Sequence, residues 1–569
     1  MSPGHPLDPM PPLARLRPAA EAAARPDRMA LQRICRLLVL LGGASAAILA
    51  LGPRILDIRD TGWLLHGTLG PDPVAYWLAW RYFSVAPWTL PLGLNPAYGL
   101  ELASAIFFVD VVPLAAFIAK ALLPVVEIKQ YWGPWLVLSA MLQGAMAWRL
   151  LALSVEDPVS RAFGALLFVF QPLLLNRYGG HFALASQWAL LWALWLCLRP
   201  AGRRQALQWA GCLGLVAMLN PYVLAMCAGL WVSDLAARGI NAGRIRPVLG
   251  EALGVPAAGL AGLWLAGYFT VRGEVEPMGV HYGHSQLDLT APFDAVEWGR
   301  LLPALPGLRH WEHGGAYLGA GALAVLAVAA MLAWRGGLGG ALRRHRPLLV
   351  VLGGMLLFAI SNRVAVGGHV LVEIPLPAPV MRLADMLRAS ERFYWPLGYA
   401  ALFGAVSLVA LRLPIRAARI VLGVALALQV VDVDAGMAKF RALVAEAPRQ
   451  AAERLPDPFW SQAALRYGRV RAVPAANFGA DWEPVARFAA RHRLPTDVVY
   501  LSRVEAEALR RLNARTVADF DAGRWERGTL YVLRDEGALR LVERRANPSR
   551  DLLTVVDGLQ VFAPDWHTR

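Results

Sequence analysis

The sequence predicts a mainly α, polytopic membrane protein of about eleven spans with a small extracytoplasmic α/β domain at its C-terminus. Three observations lead there. Apolar runs of roughly 15–23 residues recur along the chain, separated by short arginine-rich links, as transmembrane helices require. Of all residues 57% are hydrophobic and the mean hydropathy is +0.43, a balance foreign to soluble chains. Beyond residue 435 the composition turns to that of an ordinary soluble sequence.

In order, residues 1–33 are rich in Pro, Ala and Arg without apolar period and read as a disordered tail. Arg15, Arg17, Arg25, Arg28, Arg33 and Arg36 place that tail in the cytoplasm. The first span, about 35–52, lacks a small-residue cleavage site and reads as an anchor rather than a removed signal. A large outer loop, 53–132, follows. Later spans fall at about 133–153, 161–176, 182–199, 207–219, 221–236, 247–269, 314–334, 347–361, 393–411 and 418–434. Arginine clusters alternate with the outer loops, at 199–204, 238–246, 335–346 and 412–419. The formal charge of +15 therefore reads as a topology signal in an inner membrane, not as a nucleic-acid footprint.

The alternation holds on two conditions. The run SAIFFVDVVPLAAFIAKALLP (104–124) lies along the interface or re-enters, because Asp110 and Pro113 interrupt it. The run 207–236 is a pair of short helices turning at Asn220-Pro221. Residues 435–569 form the outer α/β domain, with helical patterns at 484–494 and 503–512. TDVVYLS, GTLYVLRD and DGLQVFAPDW read as strands. The four cysteines, Cys35, Cys197, Cys212 and Cys227, match no metal or redox spacing and read as small buried hydrophobes.

The outer loop is the most informative stretch, too polar to cross a bilayer yet dense in aromatics and proline. In LGPDPVAYWLAWRYF, Asp72 stands at the start of a helix whose aromatics (Tyr76, Trp77, Trp80, Phe83) recur near helical spacing, as in an amphipathic interfacial helix. Its carboxylate could take a proton from an acceptor hydroxyl, or simply serve the helix start. Asp110 is a charge within an apolar run, functional or paired with Lys120. Asp57 and Asp60 lie close to Arg54 and Arg59, which favours local ion pairs. In RYGGH, Arg177 and His181 flank a tight turn and could bind phosphate or sugar hydroxyls, or anchor to headgroups. HYGHS (281–285) is a weak metal signal without a third ligand. Arg382, Arg388 and Arg392 in RLADMLRASERFYWP could converge on a lipid phosphate at the outer interface. There is no Walker loop, dinucleotide fingerprint or serine elbow, so no cofactor is expected, and a divalent metal is not indicated.

Together GPDPVAYWLAWRYFSVAPWTLPLGLNPAYGLE, FFVDVVPLAAF, NRYGGHFALASQWALL, WEHGGAYLGAG and LRASERFYWP resemble a bacterial multi-span membrane family labelled as a domain of unknown function. That family is similar to the GT-C glycosyltransferases, over roughly residues 35–435. The resemblance implies a catalytic acid in the first outer loop, matched by Asp72 with Asp60 as fallback. It also implies a polyprenyl-phosphate sugar donor and an extracytoplasmic glycan, lipid or protein acceptor. Where several GT-C families carry a second acid after an Arg-aromatic pair, this chain has His181. The expectation is an inner-membrane glycosyltransferase with Asp72 and Asp110 at its centre and Arg177, His181, Arg382, Arg388 and Arg392 on the substrate. The alternatives are a transporter or flippase, for which Asp234 and Glu251 would be the intramembrane charges, and a non-catalytic envelope assembly factor.

Overall fold

A computed structural model describes residues 26–102, 104–242, 245–276, 280–305, 315–336 and 339–568. It is mainly helical. The helices before the C-terminal region include α1 (Pro26–Leu51), α2 (Asp72–Val85), α3 (Pro113–Leu122), α4 (Trp132–Leu151), α5 (Pro158–Val169), α6 (Trp188–Leu198) and α7 (Gln205–Val216). They continue with α8 (Pro221–Ala242), α9 (Ile245–Ala266), α10 (Ala320–Gly336), α11 (Arg346–Ile360), α12 (Ala378–Asp385), α13 (Trp395–Arg412) and α14 (Ile415–Glu446). Among the described residues, four stretches are long and apolar enough to cross a membrane: Met29–Leu51, Pro158–Gly179, Ser390–Arg412 and Ile415–Glu446. Five shorter apolar helices accompany them, including α3, α10 and α11.

Helix α1 begins at Pro26, inside the stretch read as tail, and the preceding residues lie outside the described ones. It packs against α4, α5 and α14. The crossing with α4 is close because Gly43 carries no Cβ; one there would stand 2.6 Å from the Ala140 carbonyl oxygen. Close backbone approach at small residues is how helices associate where lipid offers no hydrophobic gain. The run 104–124 is not a continuous helix: a short 3-10 turn (Ile106–Val109) and two left-handed residues precede α3. The chain also breaks between α7 and α8 at Asn220-Pro221, where the Asn220 side chain accepts the Tyr222 N–H at 2.9 Å and starts the second helix.

Helix α14 is one 32-residue element that runs past residue 435, so the helical part and the C-terminal region share it rather than meeting at a linker. Its buried Asp432 accepts from Tyr317 Oη at 2.6 Å and from the backbone N–H groups of Leu301 (2.9 Å) and Ala320 (2.9 Å). One carboxylate thereby pins a loop and the start of α10, satisfying donors that the helix itself leaves open.

The C-terminal region holds α15 (Pro458–Arg466), α16 (Trp482–His492), α17 (Ala506–Asp521) and α18 (Glu536–Arg545). Counting from the hairpin strands β1 (Arg363–Val366) and β2 (His369–Glu373), its sheet is β3 (Arg469–Val473), β4 (Thr529–Leu533), β5 (Leu552–Val556) and β6 (Leu559–Ala563). The strand order is β3-β4-β6-β5, with β3 and β4 parallel and the other pairs antiparallel. TDVVYLS is not a strand of this sheet; it runs extended beside it, touching through single bridges at Thr496 and Val499.

That region is docked on the first loop. Arg471, itself buried, spans Glu101 of the loop (2.7 and 3.0 Å), Asp497 (3.1 Å) and Glu526 (2.7 Å). Burial would raise the Glu101 carboxyl, but Arg471 and Arg515 outweigh it and hold the group at about 2. Tyr82 Oη donates to the Leu494 carbonyl at 2.7 Å, and backbone bonds join Gly99 to Thr496 and Ser502 to Phe108. This docking corrects the reading of α2 as an interfacial helix. Tyr76, Trp80, Tyr82 and Phe83 are all buried in protein: Tyr76 packs on Trp132 and Phe182, Trp80 on Tyr131 and Phe83 on Phe117, while Tyr82 faces the docked region.

Candidate active site

The site starts from two turns pressed together. Gly70, at φ +88°, and Pro71 turn the chain into α2, which makes Asp72 the first residue of that helix. Gly180, at φ +134°, closes the RYGGH turn, and a Cβ there would lie 2.9 Å from the Leu69 carbonyl oxygen. Only glycine satisfies both demands at once, the backbone angle and the closeness. The residue after it, His181, consequently reaches Asp72, with Nδ1 at 3.2 Å from Oδ2. The His181 side chain is 41% exposed and that of Asp72 25%, so the pair sits at a mouth rather than in the core.

A second partner arrives from the docked domain. The Tyr500 hydroxyl comes beside the Asp72 carboxylate and favours its ionised form, its backbone N–H donates to Tyr98 Oη at 3.3 Å, and its ring lies 4.3 Å from Phe478. Burial alone would raise the Asp72 carboxyl. The hydrogen bonds from His181 and Tyr500 and the charge of Arg392 outweigh it, so the group stays below the ordinary aspartate range and ionised. Burial, with Asp72 alongside, pushes the Tyr500 phenol upward, so it remains a donor.

Asp110 stands behind this pair. It adopts the left-handed region (φ 57°, ψ 33°), as does Val112 two residues on (φ 59°, ψ 75°). A β-branched residue there is a genuine outlier, costing on the order of 1–3 kcal/mol. Neighbours hold the segment in place: Tyr131 Oη donates to the Val111 carbonyl at 2.5 Å, and Leu114 N–H donates to the Met218 carbonyl at 3.0 Å. The carboxylate accepts from Asn220 Nδ2 at 3.0 Å. The helix break at Asn220-Pro221 thus has a second use, since the same amide that starts α8 orients Asp110. Burial pushes Asp110 up to about 6, against the pull of His181, Asn220 and Arg392, and Asp72 adds to the rise. Two neighbouring carboxyls are thus driven apart, one held ionised and one titrating just below neutrality.

Cations complete one side. The Arg392 guanidinium lies 4.7 Å from the Tyr222 ring centroid and acts electrostatically on both aspartates. Arg388 is near Tyr222, Asp385 and Tyr500; burial and the neighbouring Arg503 lower its pKa from the ordinary arginine value. Arg382 is exposed on α12, and none of its described contacts ties it to this cluster. Arg177, expected on phosphate, is buried, with its guanidinium 5.4 Å from the Trp395 ring; its backbone carbonyl accepts the His181 N–H. Its backbone thus holds the turn that carries His181.

The other sequence candidates are occupied elsewhere. Asp60 takes a bidentate contact from Arg54 at 2.5 and 3.0 Å and is buried, which removes it as a fallback acid. Lys120 does not pair with Asp110; it lies 4.1 Å from the Phe83 ring and 4.5 Å from the Trp88 ring. His281 faces Asp385 at 3.5 Å, and among the described residues no group of three His, Cys, Asp or Glu side chains converges at metal-binding spacing. His310, Glu312 and His313 lie outside the described residues. Asp234 and Glu251 are bound by Arg238 at 3.0 Å and at 2.6 and 2.8 Å, and Trp209 and Trp231 donate to them. Tyr500 is the site residue that sequence reasoning missed, because a tyrosine inside an apolar extended run carries no spacing signal.

Fold and site together define a mainly helical protein with span-like helices, in which an aspartate–histidine pair meets a tyrosine of its own C-terminal region. The chain belongs to the DUF6311 family: the model described as a domain of unknown function matches residues 39–434, and the DUF6311 C-terminal domain matches residues 459–564. No curated protein matches it.

Proposed function

We propose that the chain is an inverting glycosyltransferase of GT-C type in the bacterial inner membrane, moving a sugar from a polyprenyl phosphate to an extracytoplasmic acceptor. The tail would be cytoplasmic, the first loop and C-terminal region periplasmic, and α4, α6, α7, α8, α9, α10 and α11 would join the four long stretches to make about eleven crossings. What supports this reading best is the Asp72–His181 pair at a half-open mouth, with Arg388 and Arg392 beside it. In the reaction the acceptor oxygen bonds to the anomeric carbon as the carbon–phosphate oxygen bond breaks. The electron pair leaves with the lipid phosphate, whose charge Arg388 and Arg392 stabilise. The acceptor's proton passes to the Asp72–His181 pair. Asp72 either takes it directly or orients the ring through Nδ1 so that Nε2 takes it, as carboxylate–histidine pairs do. Tyr500 holds Asp72 in place until substrate enters.

The test is transfer from a labelled polyprenyl-phosphate sugar pool by purified protein in lipid. Asp72→Asn is expected to lower turnover by about 10²–10⁴-fold with membrane insertion intact. Full activity in that variant would remove the assignment.

A further inference from the structure

We infer that the segment between α11 and α13, namely the β1–β2 hairpin with α12, is an apron seated in the bilayer at the boundary between headgroups and acyl chains. All five residues of β2 are exposed, and the run presents Val370, Leu371 (64% exposed), Val372 and then Ile374 to the outside. Helix α12 repeats the inversion. Val380, Leu383 (70% exposed) and Met386 form an outward stripe at i, i+3, i+6, while Ala384 is its buried residue. A helix in water turns such a stripe inward, and exposed apolar surface of this extent marks a binding face.

Lipid is the occupant that the surroundings favour. The hairpin follows directly from α11, an apolar helix whose Val350 (73%) and Leu357 are also exposed, so the apolar surface continues from helix to hairpin. Arg382 stands exposed beside the α12 stripe, and apolar stripe plus basic flank is the pattern of helices that lie in an interface. The inner side of the apron is fixed to protein. Asp385 accepts the Tyr282 N–H at 2.6 Å, and Arg503 donates to the Asp385 and Met386 carbonyls at 3.4 and 3.3 Å. Arg388 and Arg392 come next in the chain, so an apron at headgroup depth would set the site at the level of lipid phosphates. This placement does not depend on the glycosyl-transfer reading, since a lipid transporter would need it equally.

The experiment uses the full chain in lipid nanodiscs, with Cys35, Cys197, Cys212 and Cys227 changed to Ala and single nitroxides at Leu371→Cys or Leu383→Cys. Collision with oxygen, which concentrates in lipid, is compared with collision with a water-soluble nickel chelate. Val350→Cys on α11 is the lipid reference and Leu465→Cys, 90% exposed on α15, the water reference. The expected result is gain of oxygen collisions and loss of nickel collisions at 371 and 383, as at 350. Nickel access like that at 465 would overturn the proposal, as would shielding from both agents, which would mean a second copy or another protein on this face. If the cysteine-free chain fails to fold, a benzophenone side chain at 371 in the otherwise native protein serves instead. Lipid adducts support the apron; protein adducts, or none, overturn it.

Discussion

At the scale of single residues, the site is a set of charges kept in different states by their surroundings. Asp110 is the clearest case, with a folded pKa of about 6 against an ordinary aspartate value of 3.8. A carboxyl raised in this way binds more protons folded than unfolded between those values, so its ionisation opposes folding as pH rises through 6. Asp110→Asn is therefore expected to stabilise the protein at pH 8, a gain that fades as pH falls through 6 toward 4. Melting curves at pH 5 and pH 8 check this. Tyr500→Phe removes one donor from Asp72 while leaving the ring packed on Phe478. Transfer is expected to slow by roughly 10-fold, the equivalent of one hydrogen bond to a charged group, with stability little changed. Asp72, Asp110, His181 and Arg392 were legible from sequence, because each is a polar group placed against apolar or tightly turned chain. The burial of Arg177 beside Trp395 was not legible, because an arginine at a helix end looks the same whether it faces headgroups or a buried indole.

At the scale of elements, glycine and asparagine decide the geometry. Gly180→Ala would force a Cβ toward the Leu69 carbonyl at a φ that alanine avoids, separating the two turns that carry Asp72 and His181. The expected cost is about 1–3 kcal/mol in stability together with loss of the Asp72–His181 contact, read by melting temperature and by transfer activity. The α7–α8 break was readable from Asn220-Pro221, since proline after a potential cap has a local cause. The face of α2 was not. Aromatics at helical spacing bury equally well in lipid or in protein, and only tertiary contacts, here with Trp132, Phe182, Tyr131 and Phe117, decide between them.

At the scale of the whole molecule, the site belongs to two parts of the chain at once. The part before residue 435 supplies Asp72, Asp110, His181, Arg388 and Arg392, and the C-terminal region supplies Tyr500. Arg471 is the bolt between them. Arg471→Ala would leave Asp497 buried without the cation that bonds it and Glu101 held by Arg515 alone, a loss on the order of 3–5 kcal/mol. Limited proteolysis is expected to release the C-terminal region in that variant and not in wild type. The sequence could announce a soluble region after the last span from its composition. It could not announce that the region folds back over the first loop, because the contact joins Glu101 to Arg471 across most of the chain.

The central claim is that a carboxylate–histidine pair accepts the acceptor's proton, and the most direct measurement is chemical rescue. Sugar transfer by His181→Ala in lipid would be followed with and without added imidazole, with Asp72→Asn as the parallel case. The account predicts low activity in both variants, restored in part by imidazole only where the ring is missing and Asp72 remains to orient it. Wild-type rates in His181→Ala without imidazole, or in Asp72→Asn, would contradict it.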